Sequence, residues 1–373
     1  MLFRKKEYTA GQSLSVHAWR QFKRNRLAFS ALLFIILVAI IATLGYLITP
    51  DSTPMANAQH LELARQKPGF KVSMLQIRNE RNIEEQNFFQ RMMYGSISAY
   101  REIPISSWEL KGNEIYVAEY TPLEVDEKKI TIYPLDQLFD KEPEESISSK
   151  TFLLGTDRYG RDLLSRLMIG ARVSLSVGFI AVFISLLIGI SLGAMAGFFR
   201  GWIDNLIVWL INVIWSIPTL LLVIAITFAL GKGFWQVFIA VGLTMWVEVA
   251  RVVRGQILSI REKEFVEAGR ALGFKNFRII FRHILPNIMG PVIVISAANF
   301  AAAILIEAGL SFLGIGVQPP TPSWGTMIKE NYAYIILDSA YLAILPGIAI
   351  MLMVLAFMII GNGLRDALDV RST

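Results

Sequence analysis

Hydrophobic residues in this chain gather into long uninterrupted runs rather than the short alternations of a soluble fold. Leu27 to Ile48 is free of charge throughout, and a helix needs about 20 apolar residues to cross the hydrocarbon core of a bilayer. Five further runs follow at Val173–Phe199, Leu206–Leu230, Phe234–Ala250, Pro291–Leu313 and Tyr341–Gly363. The pattern predicts six spanning helices with both ends of the chain on one side. The first run follows a hydrophilic segment and is too long for a signal-peptide core, so it reads as a retained anchor. Pro218 and Pro346 fall inside the third and sixth runs, where each removes a backbone donor and predicts a bend unless neighbours compensate. In the second run Gly189, Gly193 and Gly197 recur every fourth residue. Such a register lets two helix backbones approach closely where no hydrophobic effect drives association, and it predicts helix packing.

Polar and mixed positions fill residues 49–150. Alternation at Trp108–Leu110 and Glu114–Val117 around Lys111-Gly112-Asn113 predicts a hairpin, and Lys128–Tyr133 a further strand. Phe70, Phe88, Phe89, Tyr94, Trp108, Tyr116 and Tyr133 are more aromatics than a disordered tract carries, so a small α+β insert is expected. From Gly155 the chain reads GTDRYGRDLLSRLMIGARVSL; Leu163, Leu164, Leu167 and Met168 share one helical face and Arg161, Asp162, Ser165 and Arg166 lie elsewhere. That describes an amphipathic helix leading into the second span. Ahead of the first span, Leu14, Val16, Trp19 and Phe22 interleave with Arg20, Lys23, Arg24 and Arg26. This reads as a short basic helix on the membrane surface or as charges that only fix topology. The expected organisation is an N-terminal segment (1–26), a first transmembrane helix (27–48), an insert (49–150) and a five-helix core (151–373) with a long connection at 251–290.

Composition excludes the soluble alternatives. Of 373 residues 54% are hydrophobic and 18% charged, and the mean hydropathy is +0.49, too apolar for an ordinary cytosolic enzyme. The net charge of +6 sits beside the apolar runs, which favours a membrane over nucleic acid. Short connections on the side of the termini and of 251–290 hold 18 Lys and Arg against two on the other side, so both termini are expected in the cytoplasm and the insert outside. With no cysteine and only His17, His60 and His283, thiolate chemistry and Cys/His zinc sites are excluded, and no metal or other cofactor is expected. Ser311 invites thought of intramembrane proteolysis, but no span contains the His or Asp it requires. GTDRYGRD has the glycine frame of a phosphate loop but offers Arg161 and Asp162 where Lys and Ser or Thr are needed. Glu307 reads as the one charge well inside a span, at an insertion penalty of about 2.5–3.5 kcal/mol, so it either lines a pathway or pairs structurally. Glu248 lies near the end of the fourth run.

The connection Arg251–Gly290 reads RVVRGQILSIREKEFVEAGRALGFKNFRIIFRHILPNIMG. Two helical stretches are expected, about Gln256–Leu272 and Lys275–Leu285, hinged at Gly273, with Leu258, Phe265, Gly269 and Leu272 as an apolar face and Pro286 ending the second. A projecting helix-turn-helix of this kind suits the groove of a cytoplasmic partner. Glu267-Ala268-Gly269, then Gly273, then Leu285-Pro286 resembles the EAA loop of ATP-binding-cassette importer permeases, departing from its pattern at Gly269 and His283. GTDRYGRDLLSRLMIGARVSL, EAGLSFLGIGVQPPTPSWG and GNGLRDALDVR are similar to the second permease subunit of dipeptide and oligopeptide importers, with Asn362 and Val370 differing from the usual closing motif.

The resemblance spans about residues 15–50 and 151–371 and omits the insert. It implies an all-α polytopic membrane protein of six transmembrane helices in a bacterial inner membrane, working by alternating access. It also implies a paralogous permease as heterodimer partner, two cytoplasmic ATPases that hold the ATP and magnesium, and an external substrate-binding protein. Glu267, Ala268, Gly269, Gly273, Leu285 and Pro286 would then form the coupling loop, and the chain itself would not be an enzyme. Importers of nickel or glutathione share the same pattern. A membrane-anchored receptor or scaffold is the alternative from another class, but it has no reason to carry an EAA loop.

Overall fold

The computed structural model describes residues 14–79, 86–122, 130–140, 142–231 and 233–368. The expectations for residues 1–13, for Lys128 and Lys129, and for Val370 lie outside the described residues. Twelve α-helices are described: α1 (Leu14–Arg24), α2 (Arg26–Ile48), α3 (Phe88–Tyr94), α4 (Leu163–Phe199), α5 (Gly201–Trp215), α6 (Thr219–Leu230), α7 (Phe234–Ile260), α8 (Glu264–Ala271), α9 (Asn276–Arg278), α10 (Leu285–Phe312), α11 (Trp324–Asn331) and α12 (Tyr341–Leu368). The contacts divide the chain into two compact units, Met1–Leu37 with Val177–Ile306 and Met351–Thr373, and Val38–Ser176 with Glu307–Ile350.

Among the described residues, five helices are long and apolar enough to cross a membrane: α2, α4, α7, the continuous helix Asn276–Phe312, and α12. The third predicted span is broken. Instead of one bent helix, α5 and α6 meet at 93° across Ser216, Ile217 and Pro218. Pro218 has no N–H to donate and disfavours helical backbone at Ile217, so the helix stops and restarts. Pro291 and Pro346, by contrast, sit inside helices that run on through them. α4 begins ten residues ahead of its predicted span and has 37 residues, about 55 Å at 1.5 Å per residue, well beyond a hydrocarbon core of about 30 Å.

In the first unit α4 packs along α7, and the three glycines of its register are the contact. A Cβ on Gly189 would stand 2.5 Å from Val249 Cβ, one on Gly193 2.5 Å from the Ala250 carbonyl, and one on Gly197 2.9 Å from the Arg254 carbonyl. The same unit buries Phe22 of α1 among Ala28, Ala31, Ala356 and Ile360, which fastens the N-terminal helix to α12.

In the second unit five strands, β1 (Phe70–Arg78), β2 (Tyr100–Lys111), β3 (Glu114–Glu119), β4 (Ile130–Pro134) and β5 (Ile147–Phe152), form an antiparallel sheet in the order β4-β3-β2-β1-β5. The expected hairpin closes at the Lys111–Glu114 pair, with Gly112 at φ 62° supplying the left-handed turn position. Side chains alternate along the strands and give the sheet two apolar faces, Leu75, Ile105, Ile115, Val117 and Leu138 on one and Leu63, Val72, Met74 and Phe152 on the other.

Candidate functional site

The EAA-like residues form a compact element at the end of α7. This helix continues to Ile260, a three-residue turn follows, and α8 runs from Glu264 to Ala271. The expected single stretch Gln256–Leu272 is therefore two helices. Gly273 takes φ +75° and closes α8: its N–H donates to the Arg270 carbonyl at 2.9 Å, and the Phe274 N–H reaches back to the Gly269 carbonyl at 3.0 Å. Such a reversal is the usual way a glycine ends a helix.

Contrary to expectation, Pro286 does not end the second stretch ahead of the fifth span. α9, a π-helical stretch Ile279–Ile284 and α10 form one continuous rod. The Leu285 N–H donates to the Ile280 carbonyl, five residues back. The wider π turn lies just ahead of the pyrrolidine ring, where an α-helix would set that ring against the carbonyl four residues before it.

Packing splits the element into two faces. Val266 is fully buried and Gly269 is buried, and Val266 joins Ile257, Ile260, Ile279, Ile280 and Ile284 in one apolar cluster. Phe265, Leu272, Phe277 and Phe281 are exposed, and the last two pack together in a tilted arrangement with ring centroids 4.2 Å apart. Of the predicted apolar face, Gly269 packs inward while Phe265 and Leu272 look outward. Glu267, in the first turn of α8 where the helix dipole favours an anion, is exposed without a partner among the described residues; Ala268, Gly273 and Pro286 are exposed as well.

Polar ties that sequence reasoning missed fasten this element to the break between α4 and α5. Arg261 Nη1 donates to the Phe198 carbonyl at 2.7 Å, capping the end of α4. Arg200 pairs with Glu262 at 2.7 Å, and Arg254 holds Asp204 through two bonds of 2.6 and 2.8 Å.

The second unit holds two further polar groups. Glu307 is fully buried; Ser311 Oγ donates to one carboxylate oxygen at 2.7 Å, and Ser174 Oγ lies 3.5 Å from the other. Ser311 Oγ in turn accepts the Val317 N–H at 3.1 Å, so the carboxyl group ends a chain of hydrogen bonds into the loop after α10. The stretch GTDRYGRD forms a buried ionic knot. Arg161 bonds Asp157 at 2.6 Å and Glu330 of α11 at 2.9 Å, while Arg166 lies 3.6 Å from each. The polar side of this stretch is buried rather than solvated: Arg161, Asp162, Ser165 and Arg166 go inside together with Leu163, while Leu164, Leu167 and Met168 of the predicted apolar face are partly exposed, and the charges can be held inside because they are paired.

Comparison with known proteins follows the same outline. Residues 189–373 match the family described as binding-protein-dependent transport system inner membrane component, and residues 13–68 match the N-terminal transmembrane domain of oligopeptide transport permease C. A dipeptide transport system permease from Alkalihalophilus pseudofirmus is 44% identical over 215 residues, covering 58% of this chain and 70% of the relative. A glutathione transport system permease from Pectobacterium atrosepticum is 38% identical over 237 residues, covering 64% and 78%. An inward-facing methionine ABC transporter aligns with 55% of this chain and 97% of its own at a TM-score of 0.46 and 19% identity.

Proposed function

The chain belongs to the binding-protein-dependent inner-membrane permeases of the oligopeptide type, and from that premise we propose that it is the second permease subunit of an ATP-driven importer of di- or oligopeptides. Its partner across the pathway is a paralogous permease. Two ATPases, which bind ATP and magnesium, dock on α8 and α9 from the cytoplasm, where both termini also lie, and a substrate-binding protein delivers from outside. The observation that carries the reading is the two-faced element at 264–284: one face is built into the helix bundle and the other presents Phe265, Leu272, Phe277, Phe281 and an unpaired Glu267. Aromatic side chains in an exposed apolar patch flanked by charges are what a partner's groove takes up.

Motion of a docked ATPase has a stiff route into the spans. Val266 packs on α7 and the π segment, Arg261 grips the end of α4, and Asp204 with Arg254 ties α5 to α7. Displacing α8 therefore moves several helix ends together, which is what alternating access demands. Gly189, Gly193 and Gly197 keep α4 and α7 moving as one body. Glu307 serves as a buried anchor for the loop after α10 rather than as a pathway wall, since its oxygens are occupied by Ser311 and Ser174.

Reporters fused after Gly273 and at the C-terminus are expected to read cytoplasmic and one near Asn113 external; an external signal at Gly273 overturns the docking assignment. Uptake of a labelled dipeptide by the reconstituted complex, competed by unlabelled peptide or by glutathione, tests the substrate. Glutathione is the second reading, supported by the glutathione permeases among the relatives, and competition by glutathione alone selects it.

A further inference from the structure

The sheet-bearing lobe lies largely in a stretch that the resemblance does not cover, and it carries a cleft of its own. About 600 Å³ in volume, the cleft opens between residues 50–62 and the strands, within the roughly 300–1,000 Å³ range of small-ligand sites. Its charged lining comprises Asp51, Glu62, Glu102 and Glu119 against Arg101 and Lys150. The excess is acidic.

Two of these acids are spent on the fold. Asp51 accepts the N–H groups of Thr53 and Ala58 and the Thr53 hydroxyl, and Glu119 accepts the Thr131 hydroxyl. The other two are open. Glu102 takes Lys150 Nζ at 2.6 Å on Oε2, which leaves Oε1 without a partner among the described residues, and Glu62 is exposed and makes no hydrogen bond or ion pair there. His60 lines the same cleft at 9% exposure, with Nε2 lacking a hydrogen bond and 3.7 Å from Glu102 Oε2. A lobe that needed only internal cohesion would have no use for a buried imidazole nitrogen without a hydrogen bond in a cleft that also holds the open carboxylate groups of Glu62 and Glu102. Tyr100 and Tyr133 add aromatic wall, suited to peptide bonds and apolar side chains.

We propose that this cleft receives the free amino terminus of a short peptide, with Glu102 Oε1 and Glu62 facing the ammonium group. The assignment rests on the peptide-importer reading and adds to it a holding site on the permease, separate from the binding protein. An ammonium group fits because two carboxylates and an imidazole accept hydrogen bonds from its three donors, and a charge-assisted contact of this kind discriminates strongly against a capped amine.

The test uses the purified full-length chain in detergent without binding protein, titrated calorimetrically with trialanine and with N-acetyl-trialanine. Free peptide is expected to bind at least tenfold more tightly than the acetylated form. Glu62→Gln, at an exposed position that the fold does not use, should weaken the free peptide several-fold, and Glu62→Gln/Glu102→Gln should abolish the preference. Protease resistance of the lobe reports whether the double variant stays folded; if it does not, the single variant decides. Equal binding of the two peptides, no binding at millimolar concentration, or an unchanged Glu62→Gln variant each overturns the proposal. Uptake of trialanine by the complete importer separates the two ideas: normal uptake with no amino-terminal preference removes the cleft alone, whereas absent uptake removes the peptide-importer reading.

Discussion

Replacement of Gly273 gives the sharpest test of coupling, because the structure separates its backbone from its surroundings. The residue sits at φ +75°, and a Cβ built there meets nothing within 4 Å. Every penalty within the chain is therefore conformational. An alanine in the left-handed region costs about 1–2 kcal/mol, a β-branched valine more, up to about 3, and an asparagine less, since it tolerates that region. One to two kcal/mol shifts the population of the native turn by roughly 5–30-fold. The two hydrogen bonds that close α8, to the Arg270 and Gly269 carbonyls, would loosen with it, and with them the placement of Phe277 relative to Phe265. Proteoliposomes holding the complete importer would be assayed for retained ATPase subunits, for hydrolysis stimulated by loaded binding protein, and for uptake. Stimulation and uptake are expected to fall in the order Gly, Asn, Ala, Val, with normal membrane insertion throughout. Gly273→Val with full ATPase retention and normal uptake would refute the coupling role. Gly273→Asn as damaging as Gly273→Val would refute φ as the cause.

Gly193→Val places a branched side chain where even a Cβ would stand 2.5 Å from the Ala250 carbonyl, so overpacking of about 1–3 kcal/mol should lower the melting temperature of the purified chain, and an unchanged value would deny the α4–α7 contact. Arg161→Met leaves Asp157 and Glu330 buried with only the more distant Arg166; loss of about 3–5 kcal/mol is expected, read as a large fall in thermal stability. Burial and the charge of Lys150 hold the His60 imidazole below its ordinary value of 6.5, against the smaller opposing pulls of Glu102, Glu62 and Asp51. The unfolded lobe therefore takes up that proton first. Lobe stability should be level above about pH 6.5 and fall as the pH drops through it, visible as faster hydrogen exchange over residues 70–152; His60→Gln should flatten that step.

The spans were legible because a bilayer filters for length and apolarity, and both can be counted along a chain. Their ends were not. α4 and α7 each extend ten residues beyond the predicted limits, and in the extension of α7 Arg254 finds Asp204 where the sequence shows only a charge. Two kinds of proline also look alike in a sequence. Pro218 breaks its helix by 93°, whereas Pro286 is preceded by a π turn and is carried through. The difference lies in how the preceding backbone is hydrogen-bonded, which periodicity does not report. In the insert the hairpin was legible from Gly112 and its flanks, but β1 and β5, joined through a register of residues more than seventy positions apart, were not.

For the candidate site the legible part was spacing and the hidden part was direction. Glu267, Gly273 and Pro286 could be found by their intervals, yet intervals do not say which face of α8 meets the bundle. Packing decides that: Val266 and Gly269 go in, which leaves Phe265 and Leu272 out. The same limit applies to GTDRYGRDLLSRLM, where the intervals show an apolar face but not that Arg161 and Arg166 are buried together with Leu163. In a protein whose outer surface meets lipid, apolar side chains gain little from turning inward, so the interior is available to whatever must be held in a fixed geometry. That preference explains why charged motifs, beside the glycine register and the apolar contacts of Phe22 and Val266, mark where this chain is fastened. Asp157 with Arg161 and Glu330 fastens one unit, and Asp204 with Arg254, Arg200 and Glu262 fastens the other beside α8. Force delivered to α8 would therefore reach the spans through arginine contacts at helix ends, and variants of Arg254 or Arg261 should uncouple hydrolysis from uptake even though neither residue lies on the exposed face.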